Sequence, residues 1–159
     1  ADKFDIIFAG MTITEKRKEV VLFSDPYFDA GQVIVVRKGY KHFDDVDELT
    51  NEKVAVQTGT TGDLMATEVP GIILTRFPHF TEALMELSLR RVNAVVIDSS
   101  TGEAYIKFNP NLEVGSPILS AESYGAAIKK GNEELLNFVN QVLKELKTSP
   151  YDALLDAWF

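Results

Sequence analysis

The sequence predicts an α/β fold, because short apolar segments alternate with segments of helical periodicity along most of its 159 residues. Several apolar segments, such as "QVIVVR" and "NAVVIDS", are rich in β-branched residues, which favours strands over helices. The segments between them carry helix-capping residues or stop at proline or glycine. This alternation is typical of largely parallel sheets covered by helices.

Six segments are predicted to be strands. In chain order they are "FDIIFAG" (4–10), "QVIVVRKG" (32–39), "KVAVQT" (53–58), "GIILTRF" (71–77), "NAVVIDS" (93–99) and "SYGAAIKKG" (123–131). The first is a short apolar run that ends at glycine, and it is therefore expected to be a buried strand.

Helices are predicted between and after these strands. They are "TEKRKEV" (14–20), one turn in "DDVDELT" (44–50), "GDLMATEV" (62–69), "TEALMELSLRR" (81–91), "TGEAYIKF" (101–108), "NEELLNFVNQVLKELKT" (132–148) and "SPYDALLDAWF" (149–159). Thr14, Asn132 and Ser149 are the predicted N-caps, and Pro150 occupies the first helical position of the last helix.

Composition excludes several classes of function. The formal net charge is −8, which argues against a nucleic-acid partner because phosphate backbones require a basic face. The sequence contains no cysteine, so it has neither a disulfide framework nor a thiolate site. No apolar segment approaches membrane-spanning length, and the first residues lack the layout of a signal peptide. The chain is therefore either cytoplasmic or preceded by a targeting segment outside this sequence.

Polar residues follow three of the predicted strands, where functional groups of α/β sheets usually lie. The candidates are Gly10, Thr12 and the nearby Arg17, then Gln57, Thr60 and Thr61 of the turn "QTGTTG", and finally Asp98. A turn of this kind before a helix is expected to leave backbone N–H groups unpaired, which suits an anion.

Each candidate also has a simpler interpretation. Arg17 could be a solvated surface residue, the turn could merely connect a strand to a helix with its threonines as caps, and Asp98 could cap the helix that follows it. Taken together, these residues indicate a binding site for a charged ligand. An arginine and a helix start suit a carboxylate, and an aspartate suits an ammonium group. That is the charge layout of a free α-amino acid.

The segment "DIIFAGMTITEKRKEVVLFSDPYFDAG" resembles the bacterial extracytoplasmic solute-binding proteins that supply polar amino acids to ABC importers. The resemblance continues through "VAVQTGTTGD", "AVVIDS", "YGAAIKKG" and "SPYDALLDAWF", in the order of that family. It is strongest to the arginine-, lysine- and glutamine-binding branch. It implies a type II periplasmic-binding fold with one complete lobe and one incomplete lobe.

The resemblance also implies a role for each candidate. The position of Gly10 offers a backbone carbonyl, Thr12 its amide and hydroxyl, and Arg17 a bidentate pair with the ligand carboxylate. The Thr61 amide completes the carboxylate site, with Thr60 beside it in the same turn. Asp98 accepts the α-ammonium. Gln57 matches a position that faces the ligand side chain.

Members of this family begin with roughly one more βαβα unit, which supplies an acidic residue and aromatic residues around the ligand side chain. The resemblance therefore implies that residues 31–119 form lobe 2, while 1–30 and 120–159 form only the carboxyl part of lobe 1. The crossings near "YFDAGQ" and "LSAESYG" are the implied hinge strands. Without the first unit, weak millimolar binding of amino acids is expected.

The partners implied are a free L-amino acid and the permease subunits of an ABC importer, and the location is periplasmic or otherwise extracytoplasmic. An amino-acid-sensing domain of a receptor or kinase is the alternative function, and a dehydratase-like enzyme is a third. No nucleophile elbow or metal-binding pattern supports catalysis, so neither catalytic residues nor a cofactor nor a metal is expected.

A homo-oligomer is expected, because the incomplete lobe leaves apolar side chains uncovered. The residues concerned are those of "FDIIFAG" together with Leu135, Leu136, Phe138, Val139, Val142, Leu143, Leu146, Trp158 and Phe159.

Overall fold

The structure of the protein is a computed structural model that describes residues 4–147. The described chain forms two compact units. Unit 1 contains residues 4–30 and 122–147, and unit 2 contains residues 31–121. The second boundary lies two residues after the lobe boundary expected from the sequence. The predicted helix 149–159 falls outside the described residues.

The strands are β1 (Ile6–Ile7), β2 (Val21–Phe23), β3 (Phe28–Ala30), β4 (Gln32–Arg37), β5 (Lys53–Gln57), β6 (Ile73–Phe77), β7 (Ala94–Asp98), β8 (Leu112–Val114), β9 (Glu122–Tyr124) and β10 (Ala127–Lys129). The helices are α1 (Glu15–Lys18), α2 (Thr61–Thr67), α3 (Phe80–Ser88), α4 (Ser99–Ile106) and α5 (Glu133–Lys147), with a 3-10 turn at Val46–Leu49.

Unit 2 is built on a five-stranded sheet in the order β6-β5-β7-β4-β8. Strands β6, β5 and β7 run parallel to one another, as expected for strands joined by helices. Strand β4 runs antiparallel to both β7 and β8. The prediction of an α/β class is therefore confirmed, but the prediction of a largely parallel sheet was wrong. Strand β4 pairs with β7 although β5 and β6 lie between them in the sequence, and it runs in the opposite direction to β7.

Both faces of this sheet are covered. Val33 and Val35 of β4 pack with Leu84 of α3 on one face, and Ile34 and Val36 pack with other buried residues on the opposite face. The continuous apolar sequence of β4 follows from this two-sided burial, since alternate side chains of a strand point to opposite faces.

Unit 1 contains a three-stranded antiparallel sheet in the order β1-β10-β2 and a separate antiparallel pair of β3 with β9. The expectation of a buried strand at "FDIIFAG" was wrong. Only Ile6–Ile7 is strand, and their exposed fractions are 37% and 39%. Strand β1 lies at the sheet edge and pairs only with β10, so one side of it has no strand neighbour among the described residues.

The single strand predicted at "SYGAAIKKG" is two strands, β9 and β10, which belong to different sheets. Gly125 lies between them, and a Cβ placed there would be 2.9 Å from Ile13 Cδ1. A side chain at this crossing between the sheets would have to displace Ile13.

Helix α5 begins where Asn132 predicts, because the Leu135 N–H donates to Asn132 Oδ1 at 3.2 Å. Leu143 is buried within unit 1, which corrects its inclusion among the uncovered side chains, whereas Phe138 is 63% exposed. The helix is fastened at Asn140, whose Oδ1 accepts from the Asp25 N–H at 2.8 Å. Across residues 4–147, no helix is both long and apolar enough to cross a bilayer.

We expect unit 2 to fold independently, because its sheet carries buried side chains on both faces and its chain is continuous from 31 to 121. A polypeptide of these residues should unfold in one cooperative thermal transition, measured by circular dichroism. A gradual loss of signal with no transition would contradict this expectation.

Candidate functional site

Three of the predicted site residues of unit 2 meet at one edge of its sheet. Asp98 ends β7 and Gln57 ends the neighbouring parallel strand β5. Thr61 begins α2, which packs against both strands. The link between Thr61 and Asp98 is Gln32, whose Nε2 donates to Thr61 Oγ1 at 3.0 Å and to Asp98 Oδ1 at 3.1 Å.

Asp98 occupies the N-cap position of α4, but its side chain makes no capping hydrogen bond. The simpler interpretation of Asp98 as a helix cap therefore does not describe what its carboxylate does. One carboxylate oxygen instead accepts from the buried amide of Gln32. A carboxylate at the end of a strand suits a positively charged ligand group.

The turn before α2 is held together by its own hydrogen bonds. Thr60 caps α2 by accepting from the Asp63 N–H at 3.1 Å, and its hydroxyl donates to Gln57 O at 2.9 Å. The Gly59 N–H donates to Asp63 Oδ2 at 2.9 Å. The expectation that this turn leaves its N–H groups unpaired was therefore wrong for Gly59 and Asp63. Both groups stabilise the turn itself.

Asp63 fixes this turn to the sheet. It is buried, and its Oδ1 accepts from Arg76 Nε on β6 at 2.7 Å. Since the same carboxylate also accepts from Gly59, one buried side chain sets the distance between the turn and the neighbouring strand. Gln57 provides a second connection between the turn and the end of β6, because its Nε2 donates to Pro78 O at 3.2 Å.

The predicted residues of unit 1 form a second group. Thr14 caps α1 by accepting from the Arg17 N–H, which places Arg17 on the first turn of that helix. Arg17 Nη1 then donates to Thr12 O at 2.8 Å. Thr12 is buried, and its hydroxyl donates to Glu122 Oε2 at 2.9 Å. The guanidinium and the Thr12 hydroxyl are thus held in one hydrogen-bonded set.

Gly10 is fixed at the other end of this segment. Its φ is +60°, a conformation that glycine adopts without strain, and its N–H donates to Tyr27 Oη at 3.0 Å. Burial raises the pKa of the Tyr27 hydroxyl above its usual value, although the Gly10 hydrogen bond opposes the rise. Tyr27 therefore stays neutral at physiological pH and also stacks on Phe8, with ring centroids 4.5 Å apart.

Sequence reasoning missed three residues that contact the predicted ones: Gln32, Tyr27 and Glu122. Gln32 carries a signal that could have revealed it, because it is a lone polar residue that opens an otherwise apolar strand. Tyr27 and Glu122 carry no such signal. Their partners lie 17 and 110 residues away along the chain, a separation that local pattern does not encode.

The part of the chain from 4 to 147 holds no cluster of three or more His, Asp or Glu side chains placed to bind a metal ion. The two histidines lie elsewhere in unit 2. His42 Nε2 is 3.4 Å from Glu113 Oε1, and the His79 N–H donates to Glu82 at the start of α3.

The sequence profile of the bacterial extracellular solute-binding proteins, family 3, matches residues 1–159. The chain belongs to this family. Its fold is accordingly the type II periplasmic-binding fold, of which the chain is a part.

Two curated relatives illustrate the similarity. The chain is 35% identical to a probable histidine-binding protein of Neisseria gonorrhoeae over 98% of its own length and 60% of the relative. It is 33% identical to an ABC transporter glutamine-binding protein of Bacillus subtilis over 97% of its length and 57% of the relative. The chain thus spans about three fifths of the length of these relatives.

Solved structures are also similar to this chain. A mutant of ArgBP from T. maritima superposes with a TM-score of 0.95 at 51% identity, covering 99% of this chain and 70% of that one. An ancestral arginine-binding protein, solved with glutamine and with arginine, gives a TM-score of 0.93 at 44% identity, covering 99% of this chain and 72% of that one.

Gly62 tests how tightly α2 packs on the site. A Cβ at Gly62 would lie 2.5 Å from Gln32 Oε1 and 3.2 Å from Val96 O. We therefore expect Gly62→Ala to lower the free energy of unfolding by about 1–3 kcal/mol through overpacking. Gly102→Ala in α4 is the matched control, because its Cβ would meet only side-chain methyl groups, at 3.2 Å and beyond. Urea unfolding of both variants measures the difference, and equal stabilities would contradict the close packing.

Proposed function

We propose that the protein captures free polar or basic α-amino acids, with arginine, lysine and glutamine as the first candidates, for delivery to an ABC importer. The observation that carries this proposal is Asp98, an aspartate at the end of a central strand that is oriented by Gln32 and not used to cap its own helix. We further propose a periplasmic or otherwise extracytoplasmic location, in keeping with the family.

Asp98 is the proposed acceptor for the ligand's α-ammonium. A hydrogen bond between charged groups contributes about 1.5–3 kcal/mol, and removing one partner leaves the other charge uncompensated. Thr61 is the proposed second contact in unit 2, with its amide directed to the ligand carboxylate. Gln32 fixes the two residues relative to one another.

Arg17 and Thr12 are the proposed carboxylate contacts from unit 1. A guanidinium has five N–H donors in a planar fork that matches a carboxylate, and Arg17 gives one of them to Thr12 O. That hydrogen bond orients the guanidinium group of Arg17. Gly10 is proposed to accept through its carbonyl, since its N–H donates to Tyr27.

Gln57 is the proposed contact to the ligand side chain. The Thr60 hydroxyl is engaged twice within the turn, because its proton goes to Gln57 O and its oxygen caps α2. We propose that Thr60 acts by shaping the turn that presents Thr61.

The names of the related proteins support capture of an amino acid as the function. They describe histidine-, glutamine- and arginine-binding proteins, and one solved relative holds arginine or glutamine. We propose that this chain binds and releases its ligand unchanged, without catalysis. We also propose that unit 2 is the complete second lobe and unit 1 the carboxyl part of the first.

Substitution of the two charged residues tests the site. We expect Asp98→Asn and Arg17→Met each to abolish amino-acid binding, because each leaves one ligand charge without its partner. The measurement is an NMR titration of the chain with L-arginine, L-lysine and L-glutamine, which detects affinities from micromolar to millimolar.

Asp44→Asn and Lys16→Met are the matched controls. Both residues are exposed, Asp44 lies in unit 2 and Lys16 is the helical neighbour of Arg17. The controls should bind as the unaltered chain does. If the Asp98 and Arg17 variants bind equally well, the proposed site is wrong.

We also propose that two or more copies of the chain associate through unit 1. Its edge strand β1 exposes Ile6 and Ile7, followed by Phe8, and α5 exposes Phe138. Burying a fully exposed side chain of this size contributes roughly 1.5–3 kcal/mol, and covering these partly exposed ones contributes a fraction of that amount each. An edge strand beside exposed apolar side chains also favours pairing with another chain.

We expect light scattering at tens of micromolar to give a mass above the 17.7 kDa of one chain. Phe138→Lys should lower that mass toward a monomer, because it places a charge in the apolar surface. Met85→Lys, at a 57% exposed position of α3 in unit 2, is the control and should leave the mass unchanged. A monodisperse monomer at these concentrations contradicts the proposal.

A further inference from the structure

Gln32 is a completely buried polar residue, with an exposed fraction of 0%. It opens β4, whose next four residues are all valine or isoleucine and buried. Burying an amide is unfavourable unless its polar atoms are hydrogen bonded, so an apolar residue is the ordinary choice for this position. The contacts of Gln32 therefore call for a specific explanation.

The orientation of the Gln32 side chain is set by chemistry. The ionisable side chain that it contacts is that of Asp98. Asp98 lies directly opposite Gln32 on the neighbouring strand β7, so the two side chains share a face of the sheet. An ionised carboxylate only accepts hydrogen bonds, which means that the amide must present its NH₂ group to Asp98. The same nitrogen also donates to Thr61 Oγ1, so both of its protons are directed at predicted ligand-binding residues.

The other half of the amide shows that this orientation has a cost. Gln32 Oε1 is buried and has no hydrogen-bond partner within the described part of the chain. It lies instead against Gly62, where a Cβ would approach to 2.5 Å. A side chain present only for packing gains nothing from such an unsatisfied oxygen. The two N–H donations are the compensating feature.

The backbone of Gln32 is held as firmly as its side chain. Its N–H donates to Ser120 Oγ at 2.9 Å, and its C=O accepts from the Leu119 N–H at 2.8 Å. Gln32 thus cannot move along the sheet without breaking bonds to a segment almost 90 residues further along the chain. Its amide is a fixed reference point for the residues that it contacts.

We propose that Gln32 is a positioning residue for amino-acid binding, which holds the Asp98 carboxylate and the Thr61 hydroxyl at one separation through its two N–H bonds. This inference rests on the proposed function. The amide is neutral, so it orients the Asp98 carboxylate without cancelling the negative charge that the ligand ammonium requires. The ligand then meets a preorganised pair of groups and loses less free energy in ordering them.

Gln32→Met distinguishes positioning from a purely structural role. Methionine has a similar length and removes the unsatisfied oxygen together with the two donors. Asp98 and Thr61 are half-buried, so water can replace the lost bonds in the ligand-free protein. We expect the melting temperature of the ligand-free variant to equal or exceed that of the unaltered chain, while its affinity for L-arginine falls about tenfold or more. A structural role predicts that stability falls as well.

Two further variants sharpen the test. Ile34→Val, on the same strand and face as Gln32 and equally buried, should leave the affinity unchanged. Thr61→Val removes the hydroxyl that Gln32 contacts. Combining it with Gln32→Met should cost less affinity than the two single losses together, because both remove the same contact. Additive losses, or an unchanged affinity in Gln32→Met, overturn the proposal.

A ligand-free measurement keeps this inference separate from the proposed function. In the NMR spectrum of the apo chain, the Gln32 side-chain NH₂ protons should exchange slowly with solvent, and Asp98→Asn should shift their resonances. If no amino acid binds the unaltered chain, the proposed function fails while this result still shows whether Gln32 holds Asp98. Rapid exchange together with no response to Asp98→Asn overturns the positioning role.

Discussion

The antiparallel pairing of β4 with β7 is the constraint on which the rest of unit 2 depends. Five residue pairs fix its register, from Gln32 opposite Asp98 to Val36 opposite Ala94. Since β4 runs against β7, the start of one strand meets the end of the other. A parallel β4 would place Gln32 at the opposite edge of the sheet, and a shift by one residue would turn its side chain to the other face.

The same edge of the sheet receives the turn that precedes α2. Strand β5 runs parallel to β7, so both strands deliver their carboxyl ends to this edge. The ion pair of the buried Asp63 with the exposed Arg76 and the Thr60 cap then determine where Thr61 begins its helix. Most polar groups of the turn are committed to building it. The proposed ligand contacts are thus few. Three of them bond to residues outside the proposed set, since Gln32 holds Asp98 and Thr61, and Tyr27 holds Gly10.

Much of this architecture is local enough to be predicted from the sequence. Capping residues gave the starts of α1 and α5, and β-branched runs gave β4, β5 and β7. Strand direction and edge position were not predictable, because they depend on pairings far apart in the sequence. This is why the buried strand expected at "FDIIFAG" proved to be an exposed edge and why β4 proved antiparallel. The candidate site residues came from the strand ends and the family resemblance and stay predictions, whereas Tyr27 and Glu122 needed three-dimensional contacts to be found.

We propose that Asp98, held by Gln32, accepts the α-ammonium of an amino acid. A crystal structure of the chain grown with a high concentration of L-arginine tests it most directly. We expect the ligand nitrogen within about 3 Å of an Asp98 carboxylate oxygen, with the Gln32 amide still donating to that carboxylate. A bound arginine whose ammonium contacts other groups, or an Asp98 carboxylate turned onto the first N–H groups of α4, would contradict it.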